Sequence, residues 1–311
     1  MSVKLICSTV VIALLVTYLP SFAEGGGGAT AANFLLVGNG GRAVAMGGAA
    51  RALVNDASAL YWNPAQLTAI EKRSFYLANR FGHVDMNQGY FGAATPLSPG
   101  WIPPGVASIS GTYFGAGDMV GRDVEAAETG DFSASDIMIN TGYGTTLKEA
   151  LNVGLSAGAI FDKIDDSKEN AFLVSMGLSG GLSDIVSLLG KPNTLPETID
   201  LALVIGNIGS SLGSDGLPGL FSIGASWQRR ELFVEADITK VSKGSMDMAL
   251  GAEYLYNRFA LRGGYNTFAD AGNGLSLGVG IFVREFTIDY VYVPMGDLGS
   301  NNYLGVALRG W

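Results

Sequence analysis

Glu235, Asp237, Asp247, Glu253, Arg262 and Asp289 are the side chains of this sequence best suited to chemistry. Carboxylates near an arginine could line a polar path, or pair with one another and with a segment packed beside them. Pairing is the preferred reading, because an ion removed from water needs a partner. Catalysis has little else to draw on. The chain has one histidine, His83, which has no evident partner, and one cysteine, Cys7, so histidine and thiolate metal sites and cysteine nucleophiles are nearly excluded. The expectation is a chain that is not an enzyme and has no cofactor and no metal. Gly38, Gly40 and Ala43 match the G-x-G-x-x-A spacing of a dinucleotide loop, but no strand-helix-strand unit surrounds them. Asp118, Asp123, Glu125, Glu128 and Asp131 make one segment acidic, for which ordinary loop solvation is preferred to a partner site.

The elements that must position these groups begin after residue 23. Met1–Lys4 is a short basic start, 5–19 is apolar, and Ser21-Phe22-Ala23 supplies small residues where a signal peptidase cuts. The apolar run is shorter than the roughly 18 residues a membrane anchor needs. Residues 1–23 are therefore expected to be a removed signal peptide. Charged residues make up 15% of the chain against 48% hydrophobic, with 45 glycines, whereas soluble domains carry about 25% charge. The net charge of −9 argues against nucleic acid or anionic lipid as a partner. An exported, weakly charged, glycine-rich chain without long apolar runs points to a transmembrane β-barrel, since only helices and closed barrels satisfy their backbone groups in lipid.

Alternation supports this. In 275–283, Leu275, Leu277, Val279, Ile281 and Val283 oppose Ser276, Gly278 and Gly280, and the pattern recurs in 152–161, 246–256 and 286–292. A soluble sandwich shares the period of two, but its outer face should be polar. Here the second face is Gly, Ser and Ala with isolated acids, which suits a lumen. Candidate strands fall near 73–81, 86–95, 105–115, 133–146, 151–164, 170–180, 199–209, 219–228, 231–240, 245–256, 258–265, 273–283, 284–294 and 301–310. The count is about fourteen, and even, as bacterial barrels require.

The connections 227–231, 256–259 and 283–286 are tight and belong on the periplasmic side, whereas 115–132, 210–219 and 267–273 are longer. Tyr143, Trp227, Tyr254, Tyr256, Phe259 and Trp311 would form an inner girdle of aromatic rings. Two places fit badly. Residues 182–198 are long for a periplasmic turn and could hold a small helix over 184–189, and the prolines of 101–105 loosen another turn.

Before the strands, the segment 53–70 reads LVNDASALYWNPAQLTAI. Asp56 can cap a turn through residues 57–61. Asn63 and Pro64 suit the N-cap and first position of a helix over 65–70. Leu60, Trp62, Leu67 and Ile70 are too apolar for a solvated tail. Residues 24–70 are therefore expected to fold as a plug inside a barrel of residues 71–311, with Asp56, Leu60, Trp62, Asn63 and Pro64 as plug and ligand-contact candidates.

These residues resemble the PorV/PorQ group of outer-membrane proteins, within the wider FadL-like superfamily of plugged barrels. The resemblance rests on 33–49 (NFLLVGNGGRAVAMGGA) and 55–65 (NDASALYWNPA), with further matches at 163–166 (KIDD), 206–209 (GNIG), 251–254 (GAEY), 261–265 (LRGGY) and 289–299 (DYVYVPMGDLG). It implies an all-β, fourteen-stranded barrel in the bacterial outer membrane, surrounded by outer-membrane lipid and inserted by the barrel-assembly machinery. PorV-like proteins imply an accessory role in protein secretion, with a translocon and exported proteins as partners. The FadL branch instead implies a hatch within the barrel and passage of hydrophobic small molecules such as fatty acids or aromatics. The secretion role is the leading expectation and the conduit the alternative. One departure from the family is the ending, where Leu304, Val306 and Leu308 lie out of phase with Trp311 unless Gly310 forms a bulge.

Overall fold

The computed structural model describes residues 30–82, 86–122, 128–148, 150–188, 190, 198–267 and 272–310. The expected signal peptide, His83, Asp123, Glu125 and Trp311 lie outside them. The wall consists of β1 (Ser74–Phe81), β2 (Met86–Leu97), β3 (Gly105–Arg122), β4 (Glu128–Leu147), β5 (Leu151–Ile164), β6 (Ser167–Gly181) and β7 (Ile199–Gly209). It continues through β10 (Leu220–Arg229), β11 (Leu232–Val241), β12 (Met246–Tyr256), β13 (Phe259–Asn266), β14 (Leu275–Val283), β15 (Phe286–Pro294) and β16 (Ser300–Arg309). These fourteen strands form one closed antiparallel ring. It shuts by pairing β1 with β16, from Ser74 opposite Arg309 to Phe81 opposite Asn302. Closure leaves no edge strand with unpaired backbone groups.

The two faces of the ring differ as the alternation demands. Leu277 is 60% exposed on the outside, and its neighbour Ser276 is 3% exposed. Outward residues on other strands, among them Leu155, Phe172, Leu250 and Tyr290, continue this apolar belt. Such a surface suits hydrocarbon rather than water. Among the described residues no helix is long and apolar enough to cross a membrane, and the strands make the crossing.

At one end β10–β11, β12–β13 and β14–β15 are joined by two-residue turns whose first residues, Arg230, Asn257 and Arg284, each have φ 53°. These mark the periplasmic end. Trp227, Tyr254, Tyr256 and Phe259 stand exposed beside them. The loosened turn at 101–104 is held by hydrogen bonds from the Tyr143 and Thr145 hydroxyls to the Pro103 and Pro104 carbonyls. The helix in the long connection runs Leu182–Leu188.

Two expectations need correction. The supposed loop 115–132 is mostly strand, because β3 and β4 continue to Arg122 and from Glu128, with a register shift between Ala116 and Met119. Glu128 and the backbones of Asp118 and Asp131 therefore belong to strands. Residues 210–219 are not plain loop either, since β8 (Ser211–Leu212) and β9 (Asp215–Gly216) pair there as a small hairpin. At the other end, the connection 165–166 is as short as the periplasmic turns. Leu304 and Val306 face outward, and Gly310 has φ 82°.

Candidate functional site

The residues before β1 fold into four short helical pieces: Asn33–Leu36, Gly41–Ala45, Ala59–Trp62 and Pro64–Ala69. The last is a 3-10 helix rather than a regular one, and it starts where Asn63 and Pro64 place it. Asn63 is extended, its Oδ1 accepts from the Ala65 N–H at 3.0 Å, and Pro64 follows with no N–H to satisfy. Asp56 acts differently from a helix cap. Its Oδ1 accepts from the Ser58 N–H at 2.8 Å and the Ser58 hydroxyl at 2.6 Å, closing an Asx turn, and the helix begins only at Ala59.

This segment touches the inward face of the wall on opposite sides. Pro64–Ala69 lies against β4, β5 and β6, and Gly41–Ala45 lies against β13, β14 and β15. Glycines on the wall make the fit possible. A side chain at Gly154 would overlap the Pro64–Ala65 peptide, one at Gly177 would strike Asn63 Oδ1, and one at Gly264 would overlap the Met46–Gly47 peptide. The small inward residues are thus a mould for a particular backbone, as close packing requires.

The charged candidates hold the same segment. Glu253 lies 2.6 Å from both Arg42 and Arg262, and Arg262 reaches Asp289 at 2.5 Å. Asp237 accepts from the Ala50 N–H at 2.8 Å and the Arg51 N–H at 3.2 Å, and Glu235 from the Ala52 N–H at 2.5 Å. Asp247 stands apart, accepting from the Ser245 hydroxyl at 3.0 Å. Asp56 meets Arg309 at 3.4 Å. Neither Arg42 nor Arg51 was among the sequence candidates: the Arg42 guanidinium completes the Glu253 contact, whereas Arg51 reaches Asp237 through its backbone N–H and bonds the Trp62 carbonyl with its guanidinium. Their signal was two arginines inside a stretch otherwise built of small apolar residues.

Leu60 and Trp62 belong to the largest buried apolar cluster. The Trp62 indole N–H donates to the Asn39 carbonyl at 2.6 Å, and the Arg51 guanidinium lies 5.2 Å from the ring centre. Asn63 Nδ2 donates to the Arg51 carbonyl at 2.8 Å.

Between the segment and the wall lies a cavity of about 370 Å³, bounded by Leu35, Leu60, Trp62, Val204, Leu220 and Tyr303, with Arg51, Asp237 and Asp247 also on its wall. Most of its lining is apolar. On the periplasmic side of the segment a more polar cavity of about 420 Å³ is lined by Arg42, Asn55, Gln66, Asn152, Asp200 and Arg309. Residues 50–52 and their carboxylate partners stand between the two spaces, with Arg51 and Asp237 lining the first and Ala52 the second.

The fold has solved counterparts. A toluene transporter of Ralstonia pickettii, TbuX, superposes with a TM-score of 0.60 at 17% identity, over 89% of this chain and 100% of that one. A toluene transporter of Pseudomonas putida, TodX, gives 0.58 at 12% identity, over 87% and 96%. CymD, a monoaromatic hydrocarbon channel, gives 0.60 at 14%, over 89% and 98%. The chain has the fold of these transporter barrels. No family model matches the sequence, and no curated protein does. With its apolar belt, the barrel is one of the bacterial outer membrane.

Proposed function

We infer that the chain is a FadL-like passive conduit for apolar small molecules, monoaromatic hydrocarbons among them. The 370 Å³ apolar cavity carries this reading, since ligand sites commonly run from about 300 to 1,000 Å³ with largely apolar walls. The barrels of like fold support it, being described as toluene transporters and a monoaromatic hydrocarbon channel. Residues 24–70 serve as the hatch, 71–311 as the barrel and 1–23 as a removed leader. Leu60 and Trp62 contact the ligand, while Asp56, Asn63 and Pro64 shape the hatch. Glu235, Asp237 and Glu253 hold it, and Arg262 with Asp289 fixes Glu253 on the wall. The accessory role in secretion implied by the PorV/PorQ resemblance gains no support from these barrels, and the conduit is preferred.

The test is uptake of radiolabelled toluene at trace concentration by cells with a lipopolysaccharide outer leaflet, with and without the barrel. Uptake severalfold faster with the barrel is expected. Equal rates would remove the conduit reading.

A further inference from the structure

The chain's own Phe34 and Leu35 fill an apolar site at the outer mouth. That site is made by Met138, Ile160 and Leu173 of the wall with Leu212 and Leu217 of the 210–219 connection. The Phe34 ring stacks on Phe114 at 6.3 Å with an interplanar angle of 25°. Leu35 also borders the 370 Å³ cavity, as do Leu36 and Val37. Asn33–Leu36 is therefore a strap between that cavity and the outside.

The β8–β9 hairpin holds the strap in place. It follows the end of β7 opposite the tight turns, so it belongs to the extracellular end. From there Leu212 and Leu217 turn inward and are 6% and 7% exposed. The Ala31 N–H donates to the Gly216 carbonyl at 3.1 Å. Beneath the strap, the Tyr61 hydroxyl lies 2.9 Å from the carbonyl oxygens of both Leu35 and Val37.

We propose that Asn33–Leu36 is an autoinhibitory lid seated in a second apolar ligand site, and that the β8–β9 hairpin is its latch. Phe34 occupies the place that an aromatic ring arriving from outside would take. The cavity beneath becomes accessible when the hairpin lifts and the strap leaves. Without the hairpin the strap would lose Leu212 and the Gly216 carbonyl, and Leu217, which follows directly, would lose its anchor. This inference rests on the conduit reading for its purpose, though not for its geometry.

The test uses the full chain carrying Cys7→Ser, Ala31→Cys and Gly216→Cys. A side chain at Gly216 meets nothing within 4 Å, Ala31 included, which is wide for direct oxidation, so the two thiols are joined by a bis-maleimide whose spacer contains a disulfide. Bridging should slow uptake of radiolabelled toluene at least fivefold, and reductive cleavage of the spacer in the same protein should restore it. Equal uptake in the two states would overturn the lid. A second arm needs no transport. Leu35→Cys, in the Cys7→Ser background, is treated on intact cells with a membrane-impermeant maleimide. Replacing residues 211–216 by two glycines should speed labelling at least tenfold, and an unchanged rate would overturn the latch. If the parent protein takes up no toluene, the conduit reading fails, and the labelling arm alone decides the lid.

Discussion

Arg262 sits between two carboxylates with its side chain 2% exposed, so its removal leaves charge behind. Arg262→Met strands Asp289, and breaking a buried pair in this way costs about 3–5 kcal/mol. Urea unfolding of the barrel in detergent should show a loss of that size, and a loss under 1 kcal/mol would mean that water already solvates the site. Glycine positions give a sharper contrast. Gly177→Ala forces Asn63 aside and should cost about 1–3 kcal/mol by overpacking, whereas Gly216→Ala should stay within about 0.5 kcal/mol. The same unfolding curves check both, and equal effects would deny the mould. The sequence showed the carboxylates because strand alternation exposes any acid on the wrong face. It hid the Arg42 guanidinium and the Arg51 backbone N–H, whose partners are about two hundred residues away in the chain, at Glu253 and Asp237. No local pattern records such a pairing.

At the scale of elements, the wall was legible wherever one face of a strand meets lipid. The candidate strands 273–283 and 245–256 fall within two residues of Leu275–Val283 and Met246–Tyr256, because a period of two with Leu, Val and Met on one side admits few other readings. Legibility failed where β3 and β4 extend toward the extracellular end: glycines and acids there spell a loop, and ladder bonds to the neighbouring strand override local preference. Gly41–Ala45 was missed for a related reason. Its flanking glycines carry no helix signal, and its helical form depends on packing against β13, β14 and β15. Two predictions belong here. Leu277→Arg should cost about 2–4 kcal/mol in a bilayer, as for a cation on a lipid-facing strand; refolding titrations into vesicles measure this, and a neutral result would put the belt in the wrong register. Asn63→Ala removes the cap of Pro64–Ala69 and the bond to the Arg51 carbonyl. A destabilisation of about 1–2 kcal/mol is expected, read from the shift of the urea midpoint.

For the whole molecule, the ring and the segment inside it were made for each other. Wall glycines admit the backbone of residues 41–66, wall acids take its N–H groups and the Arg42 guanidinium, and what remains is a small, mostly apolar space under Asn33–Leu36. The sequence disclosed the barrel and the helical opening but not that space, because a cavity arises from the mismatch of distant surfaces and has no local signature. The claim that this space receives apolar molecules is tested most directly by crystals of the barrel soaked with bromobenzene. The account predicts an anomalous bromine peak between Trp62, Val204 and Leu220. Bromine confined to the lipid-facing surface, with that cavity empty at saturating concentration, would contradict it.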